Sequence, residues 1–336
     1  MNSIKNQNAP FGSLLADKMS VARYRDGAWT AAEIQTTGTL AMHPAMHALH
    51  YASSCFEGFK AYKHADGSVK VFRLDRHVER LRQSARTLVL PEPDAAQLRD
   101  MVLQLIDRCR GDVPDAPGSL YLRPILFGSM PNIGAAATPS NEACLIVLAS
   151  PVWDYFAGGM KPLKIMMDDF NQRCAPHMGM VKTGGNYASA MGPTLAARKA
   201  HGTDQVLFCP RGEVQETGAA NFLMLREGQL LTRSLDSTFL HGVTRDSLLT
   251  IARDLGYKVE ERIFRIPEAL EWAKTGEAAL SGTAAVLSGV GTLVYQDQNH
   301  PVGGGEVGPH SRKLRAALVA VQQGETPDEH GWLTKV

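Results

Sequence analysis

The sequence predicts a two-domain protein of the α/β class with α+β character. The chain of 336 residues is long enough for about two domains, and strand-like and helix-like segments alternate along both halves. Its composition, 44% apolar and 21% charged residues, is that of an ordinary folded protein. We expect a smaller α/β domain with a disordered N-terminus over residues 1–149, an interdomain loop over residues 150–162, and a larger domain over residues 163–336.

The N-terminal half contains three strand-like and two helix-like segments. The strands are predicted at residues 69–72, 120–127 and 144–149, and the helices at residues 75–90 and 94–110. In the first helix, apolar residues recur at helical spacing, which predicts one face packed against a core. The following segment, residues 150–159, is rich in turn formers and predicts the connection to the second domain.

The C-terminal half is predicted to contain four strands and a helix. The strands are expected at residues 162–167, 205–209, 222–225 and 258–263. The helix is expected over residues 244–256, with Thr244 as its N-cap and Gly256 as its stop signal. A glycine-rich passage over residues 179–185 is too irregular to predict as a helix.

The charge pattern excludes several classes of partner. Lysine and arginine together number 35, aspartate and glutamate 34, and neither sign is clustered, so no nucleic-acid or polybasic membrane surface is predicted. The longest apolar stretch is far shorter than the ~20 residues that span a bilayer. The five cysteines are scattered without a CxxC pair, and the N-terminus lacks the pattern of a signal peptide. We therefore expect a cytoplasmic protein with reduced thiols and small-molecule partners.

Two motif-like patterns do not predict chemistry. His43, His47 and His50 have the spacing of one helical face, but their surroundings contain no carboxylate or thiolate and include a proline, so no metal site is predicted. Residues 303–308 fit the pattern GxGxxG, yet Pro309 follows at once, and we predict a loop that leads into a helix. The sequence contains no HExxH, GxxxxGKS/T or GxSxG motif.

Lys182 is the most informative single residue, because it is one lysine among glycines and apolar side chains. Two interpretations are open at this point. A lysine in a loop is usually solvated, whereas a desolvated lysine of lowered pKa forms a Schiff base with a carbonyl compound such as pyridoxal phosphate, PLP. That chemistry also needs a carboxylate for the pyridine nitrogen and an anion site for the phosphate. Glu216, the helix start at Val243 and Thr244, and the turn at Thr283 offer such groups.

Seven segments occur together in a fixed order. They are HALHYASSCFEGFKAY (47–62), RLDRHVERLRQSA (73–85), YLRP (121–124), KTGGNYASA (182–190), ETGAANF (216–222), HGVTRDSLL (241–249) and SGTAAV (281–286). Together they resemble the class IV, or fold-type IV, PLP-dependent aminotransferases, most closely the branched-chain amino acid aminotransferases. The resemblance covers residues 27–333, and the 34-residue step from Lys182 to Glu216 adds to its specificity.

The resemblance implies a fold, a cofactor and a reaction. The fold is the two-domain fold-type IV aminotransferase fold, and the cofactor is PLP, bound by the larger domain. The reaction is the reversible transfer of the amino group from L-leucine, L-isoleucine or L-valine to 2-oxoglutarate, which gives branched 2-oxo acids and L-glutamate. The family also implies a homodimer or a higher homo-oligomer.

The resemblance assigns the cofactor-binding residues. Lys182 would bind PLP covalently and act as the general base and acid of transamination, and Glu216 would keep the pyridine nitrogen protonated. Tyr187 would hydrogen-bond the phenolate oxygen of the cofactor. The residues that would hold the phosphate are Arg80, Val243, Thr244 and Thr283. Without the resemblance, Arg80 would be interpreted as part of a solvated, arginine-rich helix face, and Glu216 as a turn carboxylate.

The resemblance also assigns the substrate-binding residues. The α-carboxylate would be held by Tyr121 and the backbone near Thr283 and Ala284. The residues that could line an apolar pocket for the substrate side chain are Tyr51, Phe56, Trp153 and Tyr155. Arg123, two residues after Tyr121 on a predicted strand, would receive the second carboxylate of 2-oxoglutarate. The alternative for Arg123 is an ordinary surface ion pair.

Three other functions share parts of this pattern. A D-amino acid aminotransferase or an aminodeoxychorismate lyase of the same fold would also need Lys182 and Glu216, and fold alone does not fix the reaction. A noncatalytic PLP-binding protein would keep the pocket without turnover. One departure from the family pattern is that Ala219 and Ala220 stand where members often have a hydroxyl or an acid, which leaves the hydrogen bonds behind the pyridine ring open.

Overall fold

The computed structural model describes residues 9–155 and 159–336. Contacts divide these residues into two compact units. The first unit contains the described residues up to Tyr155 together with Val181–Gly184 and Val321–Val336, and the second contains the remaining described residues. The disorder predicted for the N-terminus concerns its first residues, and residues 1–8 lie outside the described part of the chain.

Strands and helices alternate along the chain. The strands are β1 (Lys18–Arg25), β2 (Ala28–Trp29), β3 (Glu33–Thr36), β4 (Ser54–Phe56), β5 (Phe59–Lys63), β6 (Val69–Phe72), β7 (Ser119–Gly128), β8 (Ala143–Val152), β9 (Leu163–Asp168), β10 (Gln205–Phe208), β11 (Asn221–Arg226), β12 (Gln229–Thr232), β13 (Lys258–Glu261), β14 (Glu277–Gly282), β15 (Val286–Tyr295), β16 (Gln298–Pro301) and β17 (Leu333–Lys335). The helices are α1 (His47–Tyr51), α2 (Leu74–Thr87), α3 (Ala95–Arg108), α4 (Gly184–His201), α5 (Val243–Asp254), α6 (Ile266–Ala273) and α7 (Pro309–Gln323).

The first unit is built on a nine-stranded antiparallel sheet. Its strand order is β17–β6–β5–β7–β8–β1–β2, with β3 beside β1 and β4 beside β7. Helices α2 and α3 pack against the sheet through apolar stripes that include the fully buried Leu81 and Leu105. Because successive strand residues point to opposite faces, Tyr121 and Arg123 project from the same face of β7.

The second unit is built on an eight-stranded mixed sheet. Its strand order is β10–β9–β15–β14–β11–β12–β13, with β16 beside β15. Helix α6 packs Ile266, Ala269 and Trp272 into the core of this unit. Strands β12 and β13 are parallel neighbours, and α5 lies between them in sequence. The chain therefore forms a β-α-β connection.

Helix boundaries show where local sequence rules are sufficient and where they are not. Asp94, the first residue of the helix predicted over residues 94–110, caps α3, since its side chain accepts hydrogen bonds from the amides of Ala96 and Gln97. Helix α5 begins at Val243 with Gly242 as N-cap, so the prediction of Thr244 as the cap is wrong. Gly256 is confirmed as its stop signal, because the helix ends at Asp254 and this glycine, two residues later, has a positive φ of 83°. Helix α7 begins at Pro309, as predicted for the glycine-rich loop before it.

Helix α4 was not predicted from the sequence. Its first turn includes Gly184 and Gly185, so the prediction of an irregular passage is wrong there. The helix buries Asn186, Ala190 and Ala197 but no large apolar side chain, and it therefore lacks the apolar stripe on which sequence prediction depends. Strand β8 also continues to Val152, through residues that were predicted as the start of the interdomain loop.

The C-terminal end of the chain packs in a different unit from the one expected from the sequence. Residues 321–336 fall in the first unit, although they were expected in the larger domain over residues 163–336. The reason is that β17 pairs antiparallel with β6, with Thr334 opposite Val71. Trp332, just before β17, also packs edge-to-face against Phe72. Pairing at a sheet edge joins residues that are distant in sequence, and no local pattern reports it.

Candidate active site

Lys182 is held in the first unit by its backbone. Its carbonyl accepts a hydrogen bond from the amide of Phe56 at 2.9 Å, and its amide donates to Ser84 Oγ at 3.2 Å. The side chain is half-buried, and its Nζ lies 5.0 Å from the centroid of the Phe56 ring. The lysine is therefore fixed between the end of β4 and helix α2, rather than carried on a solvated loop.

Arg80 belongs to a buried cluster of ionisable groups, so the interpretation as a solvated helix face is wrong. Its side chain donates from Nε to Glu57 Oε1 at 2.6 Å and from Nη2 to Glu57 Oε2 at 2.9 Å. His77 Nδ1 lies 2.7 Å from the same Oε2. Glu57 is fully buried, and Arg80 is 8% exposed. Arg82 and Arg86 of α2 form ion pairs with Glu79 and Glu92 nearer the surface, and local sequence cannot distinguish Arg80 from them.

The electrostatics of this cluster favour a charged pair beside a neutral imidazole. Burial acts to raise the pKa of the Glu57 carboxyl, but Arg80 and the hydrogen bonds outweigh it and hold the pKa well below its usual range. Burial lowers the pKa of His77. We therefore describe His77 as neutral, donating its Nδ1 proton to Glu57. Sequence analysis missed Glu57, although it lies within the quoted segment HALHYASSCFEGFKAY.

Tyr121, Arg123 and Phe56 come together in the first unit. Arg123 Nη2 donates to Tyr121 Oη at 2.8 Å, and the guanidinium carbon lies 4.6 Å from the Phe56 ring centroid. Within the described residues, Arg123 forms no ion pair with a carboxylate, in contrast to the surface alternative. Gly58 is needed for this arrangement, because a Cβ there would lie 1.9 Å from Tyr121 Oη.

The remaining aromatic residues of the predicted pocket differ in their placement. Phe11, which sequence analysis missed, packs edge-to-face on Tyr121 with 4.9 Å between ring centroids, and the exposed Tyr155 lies 6.4 Å from Phe11. Trp153 is half-buried directly after β8. Tyr51 instead donates a hydrogen bond to the carbonyl of Ile133 and packs beside His47. These contacts of Tyr51 do not join it to the Tyr121 group.

Glu216 is buried in the second unit, and its carboxylate contacts Arg173, Leu240 and Asn221. Its Oε1 forms an ion pair with Arg173 Nη1 and accepts a hydrogen bond from the Leu240 amide, both at 2.8 Å, and its Oε2 accepts one from Asn221 Nδ2 at 3.0 Å. Glu216 is 3% exposed and Arg173 2%. Such a close arginine favours the ionised carboxylate. Sequence analysis missed Arg173, because it stands in a loop nine residues before Lys182 without any local motif.

Asn221 connects Glu216 to the start of helix α5. Its Nδ2 also donates to the Leu240 carbonyl at 2.8 Å, and its Oδ1 packs so closely on Gly242 that a Cβ there would lie 2.0 Å away. Val243 and Thr244 follow as the first residues of α5, and both are buried. The first amides of a helix have no acceptor within the helix, which makes this end suited to an anion.

Thr283 and Ala284 lie in the turn between β14 and β15, and both are half-buried. The carbonyl of Ala219 comes close to this turn, at 3.7 Å from the position of a Cβ on Gly282. The hydroxyl of Thr217 accepts hydrogen bonds from the amides of Ala219 and Ala220, at 3.4 and 3.0 Å. The Thr217 hydroxyl therefore closes the turn over residues 217–220 despite the two alanines in it.

Tyr187 lies in the first turns of α4 and is half-buried. The residue before it, Asn186, is buried and donates from Nδ2 to the carbonyl of Met178 at 2.8 Å. This bond ties the start of α4 to the segment before Lys182 in sequence. The position of Tyr187 is thus set by a helix that the sequence did not predict.

The three histidines with helical spacing, His43, His47 and His50, have other partners. His47 Nδ1 lies 2.7 Å from Ser53 Oγ, and His50 Nε2 lies 2.9 Å from the carbonyl of Pro44. His43 Nδ1 accepts a hydrogen bond from the Ala45 amide. No group of three His, Cys, Asp or Glu side chains in the described ranges could hold a metal ion. Within the same ranges, no helix is long and apolar enough to cross a membrane.

Comparison with known proteins gives consistent matches over nearly the whole chain. The model of the amino-transferase class IV family matches residues 54–291. The chain is 37% identical to the probable branched-chain-amino-acid aminotransferase of Streptomyces coelicolor, over 97% of this chain and 92% of that protein. It is 35% identical to branched-chain-amino-acid aminotransferase 2 of Bacillus subtilis, over 97% and 92% of the two chains.

Two solved structures are similar in fold. The branched-chain amino acid aminotransferase of Escherichia coli superposes with a TM-score of 0.78 at 28% identity, covering 95% of this chain and 98% of that chain. The branched-chain aminotransferase of the thermophilic archaeon Thermoproteus uzoniensis, solved with norvaline, superposes with a TM-score of 0.77 at 25% identity, covering 95% and 99%.

Proposed function

Because this chain belongs to the amino-transferase class IV family, we propose that it is a PLP-dependent branched-chain amino acid aminotransferase. It transfers the amino group of L-leucine, L-isoleucine or L-valine reversibly to 2-oxoglutarate. The observation that carries the substrate assignment is the group of Tyr121, Arg123 and Phe56, in which one guanidinium stands beside aromatic surface. An aliphatic side chain and a second carboxylate can both be accepted by such a surface.

The residues present fit PLP by the chemistry of their donors. The first unit offers the amine of Lys182 and the guanidinium of Arg80, and the second offers the buried carboxylate of Glu216 and the amide-rich start of α5 at Val243 and Thr244. Thr283 adds a hydroxyl for the phosphate, and Tyr187 a phenol for the ring oxygen. When bound, PLP supplies the electron-accepting ring that makes the substrate Cα proton acidic.

Lys182 carries out the proton transfer in this proposal. Its amine would hold the cofactor covalently in the resting enzyme. With an amino acid bound, the free Nζ would take the proton from the substrate Cα and hold it for return. Its backbone hydrogen bonds to Phe56 and Ser84 restrict where the amine can move, which supports efficient transfer between two neighbouring atoms.

Glu216 holds the proton on the pyridine nitrogen in this proposal. An anion at this position favours the protonated ring, and the protonated ring accepts electrons better. Arg173, at 2.8 Å, keeps the Glu216 carboxylate ionised, and the Leu240 amide and Asn221 fix its orientation.

Substrate selection follows from the contrast between apolar and charged contacts. Tyr121 and the turn at Thr283 and Ala284 bind the α-carboxylate, while Phe56, with Trp153 and Tyr155, provides apolar surface for the side chain. Pockets of this kind separate neighbouring aliphatic chains by only about 1–3 kcal/mol per methylene, so all three branched amino acids are accepted. Arg123 receives the side-chain carboxylate of 2-oxoglutarate or glutamate.

The assembly and cellular location are part of the same proposal. We expect a homodimer or a higher homo-oligomer, as implied by the family, and a cytoplasmic enzyme. The free state of all five cysteines supports a reducing compartment.

A coupled assay tests the function directly. The purified enzyme is mixed with 2-oxoglutarate and one amino donor, and the formation of glutamate is measured. We expect turnover with L-leucine, L-isoleucine and L-valine and none with D-alanine. Turnover with D-alanine alone would instead indicate a D-amino acid aminotransferase.

A further inference from the structure

Glu57 is a buried carboxylate to which the proposed mechanism gives no role. We infer that Glu57 is a positioning residue, which orients the Arg80 guanidinium for the phosphate of PLP. This inference rests on the proposed function, because it takes Arg80 to be a phosphate ligand. It extends that function to a residue that touches neither the substrate nor the cofactor.

The Glu57 carboxylate is itself fixed. It is completely buried, and the amide of its own residue donates to the Pro124 carbonyl at 2.9 Å. The Gly58 amide donates to Oε2 at 3.2 Å, and His77 approaches the same oxygen at 2.7 Å. His77 in turn packs against Phe59, with 4.9 Å between ring centroids. Rotation of the carboxylate would break all of the side-chain contacts at once.

A fixed carboxylate determines the orientation of the guanidinium beside it. Nε and Nη2 of Arg80 both face Glu57, at 2.6 and 2.9 Å, which is the two-point geometry that arginine forms with carboxylates. The plane and edge of the guanidinium are therefore set before any ligand arrives. A preset side chain loses less conformational entropy on binding. Glu57 thus increases phosphate affinity although its own charge repels phosphate.

The next turn of α2 also anchors the reactive lysine. Ser84, one helical turn after Arg80, accepts the hydrogen bond from the Lys182 amide at 3.2 Å. Phe56, the residue before Glu57, donates to the Lys182 carbonyl at 2.9 Å. Glu57 and Phe56 therefore tie the phosphate ligand and the lysine backbone to the same short piece of chain. Loss of the Glu57 carboxylate would therefore free the Arg80 guanidinium but leave the backbone hydrogen bonds of Lys182 in place.

Binding measurements that separate the phosphate from the rest of the cofactor test the inference. The cofactor is removed from the full chain, and dissociation constants are measured for PLP and for pyridoxal, which lacks the phosphate. For Glu57→Gln we expect PLP affinity to fall about 10- to 100-fold, the loss of a hydrogen bond to a charged group. Pyridoxal affinity should stay within about twofold of wild type, since Lys182 and Glu216 are unchanged.

A matched control lies on the same helix. Glu79 also pairs with arginines of α2, Arg82 and Arg86, but it lies on the surface. Glu79→Gln should leave both affinities unchanged. If Glu57→Gln does not fold, Glu57→Asp replaces it, because it keeps the charge but withdraws the carboxylate by one methylene. The same phosphate-dependent loss is then expected.

Two results would overturn the inference. Equal losses for PLP and pyridoxal would show that Glu57 only supports the fold, and an unchanged PLP affinity would show that Arg80 needs no orientation. A wild-type chain that binds neither compound would contradict the proposed function itself, and is thereby distinguished from failure of this inference.

Discussion

Two buried carboxylates, Glu57 and Glu216, each face one arginine, and this pairing governs how the residues of the candidate site act. A buried carboxylate without a partner would take up a proton. Arg80 and its hydrogen bonds hold the pKa of Glu57 well below its usual range, and Arg173, at 2.8 Å, favours the ionised form of Glu216. Glu57 can then orient the Arg80 guanidinium, and Glu216 can hold a protonated ring nitrogen.

Glu216→Gln tests the role of the negative charge. The amide keeps the shape of the side chain and can retain hydrogen bonds to its neighbours, but it cannot favour a protonated pyridine as an anion does. We expect the cofactor to stay bound while turnover falls by orders of magnitude. Cofactor content is measured by absorbance and turnover by the glutamate assay. Full activity in this variant would contradict the assignment.

Arg123→Ala tests which substrate the guanidinium recognises. Only 2-oxoglutarate and glutamate carry a side-chain carboxylate, so we expect the KM for 2-oxoglutarate to rise about 10- to 100-fold, as for a lost charged hydrogen bond. The KM for L-leucine should change much less. Steady-state kinetics with each substrate varied separately measures both values. Equal losses for the two substrates would indicate that Arg123 binds the α-carboxylate, which both substrates carry, or that it acts only by holding Tyr121.

The residues found and missed from the sequence differ in where their partners lie. The family inferred from seven segments is confirmed by the relatives. It could be inferred from the sequence because Lys182 and Glu216 stand in motifs that can be read locally. Glu57 and Arg173 depend on partners 23 and 43 residues away, respectively Arg80 and Glu216. Nothing near either residue in the sequence predicts those pairs. The assigned roles of the site residues stay predictions.

At the scale of elements, seven of the strands in the described residues are predicted from the sequence, among them β6, β7 and β8. Strands β7 and β8 are mostly apolar, and β6 places Lys70 between two valines, so their patterns are local. Helix α4 escaped prediction because it has no apolar stripe. The cap of α5 was misplaced because Gly242 makes no side-chain cap hydrogen bond and packs closely on Asn221, more than twenty residues earlier. Elements that depend on tertiary contacts are thus the ones that local rules miss.

Gly58→Ala tests the close packing between β4, β5 and β7. The added methyl group would lie 1.9 Å from Tyr121 Oη, so Tyr121 must move and its hydrogen bond with Arg123 is lost. We expect a higher KM for both substrates, and a lower thermal midpoint because overpacking typically costs about 1–3 kcal/mol. Gly38→Ala is the control, since nothing lies within 4 Å of a Cβ there. Unchanged kinetics in Gly58→Ala would show that Tyr121 does not bind substrate from its observed position.

At the scale of the whole molecule, burial protects the thiols. All five cysteines are free and four of them are buried. Burial raises the pKa of the Cys109 thiol from 9.0 to about 11, and it raises the pKa of the other four as well. As pH rises, the unfolded chain loses these protons before the folded chain does. The stability contributed by the buried thiol of Cys109 is therefore present below pH 9 and lost between pH 9 and about 11.

Thiol labelling measures this protection. At pH 8 we expect the native enzyme to react with a disulfide reagent about 100-fold more slowly than the denatured chain, because few of its thiols are ionised or accessible. Cys174, the one that is only partly buried, should react first. Peptide mapping identifies the labelled residue. Rapid labelling of all five thiols in the folded enzyme would contradict the packing of both cores.

The central claim is that Lys182 holds PLP covalently and moves a proton at the Cα of an L-branched-chain amino acid. The most direct measurement is the visible absorbance spectrum of the purified enzyme before and after adding L-leucine without any keto acid, with Lys182→Ala as control. We predict a cofactor band that L-leucine bleaches in the wild type and that is missing from the variant. If wild-type enzyme supplied with PLP shows no such band, or if Lys182→Ala shows the same band and the same bleaching, the claim is contradicted.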